Sequence, residues 1–179
     1  DATVRRPGAS ALRRRAIEEL VRRKLDPVAD LILKEDTYRD LRAWVRDLHG
    51  IGVRRFALWL VSLTDRNASN IEQLPALRAI APDVVATLDD ARAGGYEVVS
   101  LHLPRCVLSG YEEHVRHPGS DDVLVVTPDE TFDLRGSKLS GGVKPTACAR
   151  CVYEPQCPGL RADYVARHGE AEVVPVERL

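Results

Sequence analysis

Phe56-Ala57-Leu58-Trp59-Leu60-Val61 is an unbroken apolar run, entered through Arg54-Arg55 and left through a polar stretch from Ser62 to Asn70. A strand with one wet face alternates apolar and polar residues. This run does not alternate, so it reads as a strand covered on both faces, the pattern of a parallel sheet. Two similar runs flank it: Val28-Ala29-Asp30-Leu31-Ile32-Leu33 upstream and Tyr96-Glu97-Val98-Val99-Ser100-Leu101-His102 downstream.

Helical periods fill the intervals. Leu12, Ala16, Ile17, Leu20 and Val21 recur at helical spacing behind Ser10, read as the cap of a helix that Asp26-Pro27 stops. Thr37 and Asp40 form a capping-box pattern ahead of Tyr38, Leu41, Val45 and Leu48, and Gly50-Ile51-Gly52 ends that helix. A third stripe, Leu74, Leu77, Ile80, Val84, Leu88 and Ala91, carries Pro82 as a candidate break and stops at Gly94-Gly95. Trp44 and Trp59 read as core residues. Apolar strands joined by helical crossovers predict an α/β fold with right-handed connections and a ligand edge at the strands' C-terminal ends. Those ends hold Lys34, Glu35, Ser62, Thr64, Asp65 and His102.

After Pro104 the composition turns to Gly, Pro, Ser and charge, so a small extension over 106–179 follows an α/β portion over 1–105. Val123 to Val126, the turn Thr127-Pro128-Asp129-Glu130, and Thr131 to Leu134 predict a hairpin, and a short helix runs through Tyr164 to His168. The chain has 179 residues, 44% of them hydrophobic, enough for a real core. Lys+Arg number 26 against Asp+Glu 27, a net charge of -1, so no global field draws it to nucleic acid or an anionic membrane. The basic triplets Arg13-Arg14-Arg15 and Arg22-Arg23-Lys24 enclose Glu18-Glu19 and interleave no aromatic residue, which reads as a solvated helix face. Without an apolar span or a signal-peptide core, the expected location is cytoplasmic. Hydrolase, zinc-protease and phosphate-loop motifs are missing, and His114 and His117 beside Glu112-Glu113 read as a polar loop.

The chemistry lies in the cysteines. Cys148-x-x-Cys151 puts two thiolates within reach of one metal, and Cys157 follows, directly before Pro158. A Cys-Pro ending favours an iron-sulfur cluster over a zinc ribbon, which repeats its C-x-x-C knuckle. Cys106, just past the third strand, completes a set of four for a [4Fe-4S] cluster; without it, three ligands leave one iron open. Structural zinc on three cysteines with Cys106 or His168 is the competing reading, and two disulfides are disfavoured in a reducing compartment.

The run Lys144-Pro145-x-x-Cys148-x-x-Cys151-x5-Cys157-x-Gly159-x4-Tyr164, with Gly169 and Glu172 behind it, resembles the C-terminal cluster segment of radical S-adenosylmethionine (radical SAM) enzymes of the SPASM and twitch type. The alternation before it resembles the second half of that family's partial (β/α)6 TIM-like barrel, and Leu101 to Cys106 resembles its sixth strand and exit. The resemblance implies an auxiliary [4Fe-4S] cluster on Cys106, Cys148, Cys151 and Cys157. It also implies S-adenosyl-L-methionine contacts at Lys34, Ser62, Thr64 and His102, and a peptide as substrate. The family's C-x3-C-x2-C loop is not in this sequence, and Arg161 stands where a SPASM domain has a further cysteine. The expectation is therefore a twitch-like, single-cluster arrangement in the C-terminal half of a longer or split enzyme, in keeping with a chain that lacks Met and opens at Asp1. The missing N-terminal half, or a partner subunit, would carry the radical-generating cluster, and self-pairing is another way to complete the sheet. A non-catalytic α/β module whose zinc knob binds a partner protein is the alternative from another class.

Overall fold

The computed structural model describes residues 6–63, 69–116, 124–133 and 142–177. Three parallel strands, β1 (Val28–Leu33), β2 (Arg55–Leu60) and β3 (Glu97–Ser100), form one sheet in that order with β2 central. The helices α1 (Ala9–Arg22), α2 (Leu41–Gly50) and α3 (Leu77–Gly94) precede and connect them. A two-stranded antiparallel hairpin, β4 (Leu124–Val126) and β5 (Thr131–Asp133), and a short helix α4 (Ala162–His168) follow. The hairpin lies where the turn chemistry put it; Val123 and Leu134 fall outside the described residues. No helix among the described residues is long and apolar enough to cross a membrane.

Register explains the core. Ala29 pairs with Phe56, Leu31 with Leu58 and Leu33 with Leu60, while Phe56 pairs with Val98 and Leu58 with Ser100, so one sheet face is an apolar layer interrupted by the buried Ser100. Leu41 and Val45 of α2 and Ile80, Val84 and Leu88 of α3 are buried in the same core. Asp90 fastens the two helices, accepting a fork from Arg42 at 2.9 and 3.0 Å and an ion pair from Arg46 at 3.0 Å; its carboxyl is held below the usual range chiefly by Arg42.

The opposite face differs from expectation. Val28, Asp30 and Ile32 of β1 are exposed there, Val28 at 51% and Ile32 at 45%, and Trp59 and Val99 are only half-buried. An apolar run alone does not show whether a second layer is present to cover it. The outer edge of β1 has no strand neighbour among the described residues, whereas the outer edge of β3 bridges Val115 and accepts a hydrogen bond from Arg116 N at 2.8 Å. Trp44 is exposed and Trp59 half-buried, so neither belongs to the core.

Several local signals resolve differently from their sequence patterns. Ser10 lies inside α1, whose N-cap is Gly8, and the helix ends where Lys24 takes φ 60° and Leu25 N bonds Leu20 O, a Schellman closure that precedes Asp26-Pro27. No residue of α1 is buried; Arg14 pairs with Glu18 and with Asp47 of α2, and Arg22 and Arg23 pair with Glu19. The capping box does not form: Lys34 O accepts both Thr37 N and Tyr38 N, and Thr37 Oγ1 is buried without a partner among the described residues. Pro82 does not break α3, because losing one N-H in an early turn is outweighed by the buried stripe around it. The third strand is shorter than its apolar run, since the chain bends at Leu101.

The extension shares the core of the sheet portion: Leu108, Val115, Leu160 and Tyr164 pack in one cluster with residues of β2 and α3. The start of α3 is capped from 95 residues away, Glu172 Oε2 accepting Leu77 N at 2.9 Å. Tyr164 Oη also accepts Leu77 N at 2.9 Å and donates to Glu172.

Candidate metal centre

Two tight turns build the cysteine loop. Cys148 lies in a 3-10 segment, Thr146–Arg150, Cys151 follows it, and a second 3-10 segment, Glu154–Gln156, leads into Cys157. Cys148 N bonds Pro145 O at 2.8 Å, Cys151 N bonds Cys148 O at 2.9 Å and Glu154 N bonds Cys151 O at 3.0 Å. The loop's two ends are clamped by an antiparallel bridge, Val143 N to Leu160 O at 2.6 Å and Leu160 N to Val143 O at 2.8 Å. Lys144 Nζ donates to Glu154 O at 2.9 Å and to Glu154 Oε1 at 2.7 Å. From outside the loop, Val152 N donates to Val176 O at 2.9 Å, which draws the C-terminal segment against it.

Cys106 reaches the same place from the 3-10 turn Arg105–Val107 that follows β3. All four cysteines line one partly open cavity, with Arg105, Lys144, Tyr153, Glu154, Val173 and Pro175 among its other walls. Burial, and after it the neighbouring Cys157, Cys151 and Cys148, push the Cys106 thiol from the ordinary 9.0 up to about 11, partly offset by a hydrogen bond with the Val174 backbone. Burial, and after it Cys157 and Cys151, also raise Cys148, against the attraction of Lys144. Gly159 N donates to Cys157 Sγ at 3.5 Å. Among the described residues no group of three or more His, Cys, Asp or Glu side chains is arranged to hold a metal ion.

The clamp depends on close backbone approach. Gly159 has φ 86°, and a Cβ there would stand 2.5 Å from Val143 O. Gly159→Ala is therefore expected to destabilise the protein by about 1–3 kcal/mol, read as a lower midpoint in thermal or urea unfolding; an unchanged midpoint would show that the bridge relaxes freely.

The pH dependence of the metal-free protein follows from Cys106. Its thiol is harder to ionise when folded, so the folded state is favoured while the group is protonated. That contribution is complete below about pH 9 and is lost as pH rises toward about 11. Urea midpoints measured across this window are expected to fall in the wild type and to fall less in Cys106→Ser.

The other sequence candidates lie at the sheet's C-terminal edge. Lys34 pairs with Asp36 at 3.2 Å, and Ser62 is exposed just after β2. Thr64 and Asp65 fall outside the described residues, as does His117. His102 is half-buried, edge-on to Trp59 with centroids 4.9 Å apart, and its Nδ1 stands 3.3 Å from Leu60 O. A carbonyl only accepts, so Nδ1 carries the proton and Nε2 is the ring's acceptor. Burial lowers this imidazole's pKa, with Arg161 acting in the same direction. His114 is engaged by Val98 O at 3.0 Å and by Glu113, and His168 Nε2 by Leu74 O at 3.0 Å, so neither takes part in the thiol cavity.

Arg105, Tyr153 and the 173–175 wall were not singled out by the sequence reading. Their signal is spatial: the segment after α4 returns over a cavity whose other walls come from residues 105–106 and 144–159. Comparison with protein-family models, with curated proteins and with solved structures finds no match.

Proposed function

We propose that this chain holds an auxiliary [4Fe-4S] cluster on Cys106, Cys148, Cys151 and Cys157 and forms the C-terminal part of a radical SAM enzyme acting on a peptide. The observation that carries the reading is the convergence of all four thiols, from segments 42 residues apart in sequence (148 less 106), on one cavity.

The donor set fits the group. Zinc, at about 2.3 Å per sulfur, draws four thiolates onto one point, whereas an iron-sulfide core interposes its own bulk between them. Four cysteines that line one partly open cavity are a donor set such a core takes. Burial first, and the neighbouring thiols after it, make Cys106 and Cys148 harder to ionise, a cost that a bound cation would offset. The Gly159 N-H directed at Cys157 Sγ is the kind of donor that supports a ligating sulfur. Bound there, such a cluster supplies one-electron transfer or, at minimum, an anchor for a loop with little apolar content.

The chain's own residues suggest how the rest divides. The outer edge of β1, which has no strand neighbour among the described residues, and the exposed Val28 and Ile32 beside it support a sheet that continues into a further half, in the manner of a partial (β/α)6 barrel. That half, or a partner subunit, would supply the C-x3-C-x2-C loop which this chain lacks. On the ligand edge, Lys34 would offer a cation to the carboxylate of S-adenosyl-L-methionine, and neutral His102 an acceptor nitrogen. Ser62 and Thr64 would offer hydroxyls.

Anaerobic reconstitution of the full chain with iron and sulfide tests the reading. A brown protein with broad visible absorbance that dithionite bleaches is expected; a colourless protein that takes up zinc instead would replace the cluster with a structural zinc site.

A further inference from the structure

Among the cavity's cationic walls, Lys144 is already compensated, its ammonium lying 2.7 Å from Glu154 Oε1. Arg105 is not. It has no carboxylate partner among the described residues; Nη2 reaches only Val115 O at 3.5 Å, and the guanidinium carbon lies 5.2 Å from the centroid of Tyr153, another cavity wall. Nη1 is fully covered and finds no hydrogen-bond partner among the described residues. A covered guanidinium N-H without an acceptor is costly, and native structures rarely keep one unless an ordered water, ion or ligand answers it. The neighbouring arginines show the contrast: Arg150 pairs with Glu177, and Arg161 with Asp163.

We propose that Arg105 sets the reduction potential of the thiol-ligated cluster site, as a fixed and otherwise uncompensated positive charge in the cavity wall. The inference rests on the cluster reading of that cavity. Each electron added to a thiolate-ligated cluster makes it more negative, and net charge and hydrogen bonding to sulfur are what tune such potentials. Arg105 favours the reduced state by partial neutralisation, and it does so without gaining or losing a proton, since guanidinium stays charged. The couple is a one-electron reduction, with dithionite as the electron donor in the experiment.

The test uses the full chain, reconstituted anaerobically as wild type, Arg105→Met, Arg105→Lys and Lys144→Met. Iron and sulfide content is measured first, then the midpoint by titration followed through visible absorbance and electron paramagnetic resonance. Arg105→Met is expected to load as the wild type does but with a lower midpoint. At the wild-type midpoint its ratio of reduced to oxidised protein falls about tenfold or more, equivalent to 59 mV for a one-electron couple. Arg105→Lys, which keeps the charge and loses the planar fork, shifts less, and Lys144→Met shifts less than Arg105→Met. A fully loaded Arg105→Met with the wild-type midpoint overturns the inference and leaves the cluster reading standing. Loss of iron from both Arg105 variants also overturns it, giving Arg105 the role of holding the loop. A wild type that takes up no iron overturns both.

Discussion

Cys148→Ala is expected to abolish the visible absorbance of the reconstituted protein and to release the loop between Lys144 and Pro158 from its folded path. No residue from Thr146 to Gly159 is buried, so the loop has almost no apolar contact to hold it. What remains is the Val143–Leu160 bridge, the Lys144–Glu154 pair and single backbone bonds, each worth roughly 1 kcal/mol or less. Metal binding to a site of four thiolates is worth on the order of 10 kcal/mol, and that energy is folding energy for a segment that cannot otherwise order itself. Removing one ligand is therefore expected to weaken cluster retention by more than about 100-fold. Hydrogen exchange should quicken in the loop while β2 and α3 stay protected, because their core of Phe56, Leu58, Ile80, Val84 and Leu88 does not include the loop. Retained colour in Cys148→Ala, with loop exchange unchanged, would show that this thiol is not a ligand.

The second large effect is expected at Tyr164. Its ring is buried at 1% exposure and lies 4.8 Å from that of His168, and its hydroxyl bridges the start of α3 to Glu172. Burial, and then the Glu172 carboxylate, push the phenol well above its ordinary value, so it remains a proton donor at any physiological pH. Tyr164→Ala removes a large core side chain and is expected to cost about 3–5 kcal/mol. Tyr164→Phe keeps the packing and loses the bridge, leaving Leu77 N to Glu172 alone, and should cost about 1–2 kcal/mol. Urea unfolding of the two variants separates the terms. Because Leu160 and Tyr164 follow directly on Cys157 and Gly159, the alanine variant is also expected to reconstitute with less iron than the phenylalanine variant. Equal midpoints for the two would assign the whole effect to the hydroxyl.

Where the sequence was readable, it was so because one physical signal dominated. The bounds Val28–Leu33 follow from an apolar run between a proline and a charged loop, and the structure places β1 on those residues. Its burial was not readable, since edge position depends on which strand pairs with it, and nothing within the run encodes that. Thr37 shows the reverse error: a capping pattern was present, but the Lys34 carbonyl took the N-H groups of Thr37 and Tyr38 and a 3-10 turn intervened. The cysteine spacing announced a ligand loop by itself. Cys106 could be offered as its fourth member only from its position at a strand exit. Arg105 lies beside Cys106 in the chain, yet its uncompensated charge is a property of what surrounds it in space, and so is the cover supplied by Val173 and Pro175.

Iron and acid-labile sulfide counted per chain, after anaerobic reconstitution and removal of unbound metal, bear most directly on the thiol cavity. Close to four of each is the expected count, with Cys106, Cys148, Cys151 and Cys157 all protected from alkylation and all four reactive once the iron is stripped. One tightly held zinc with no sulfide, or cysteines alkylated alike with and without iron, would contradict the account.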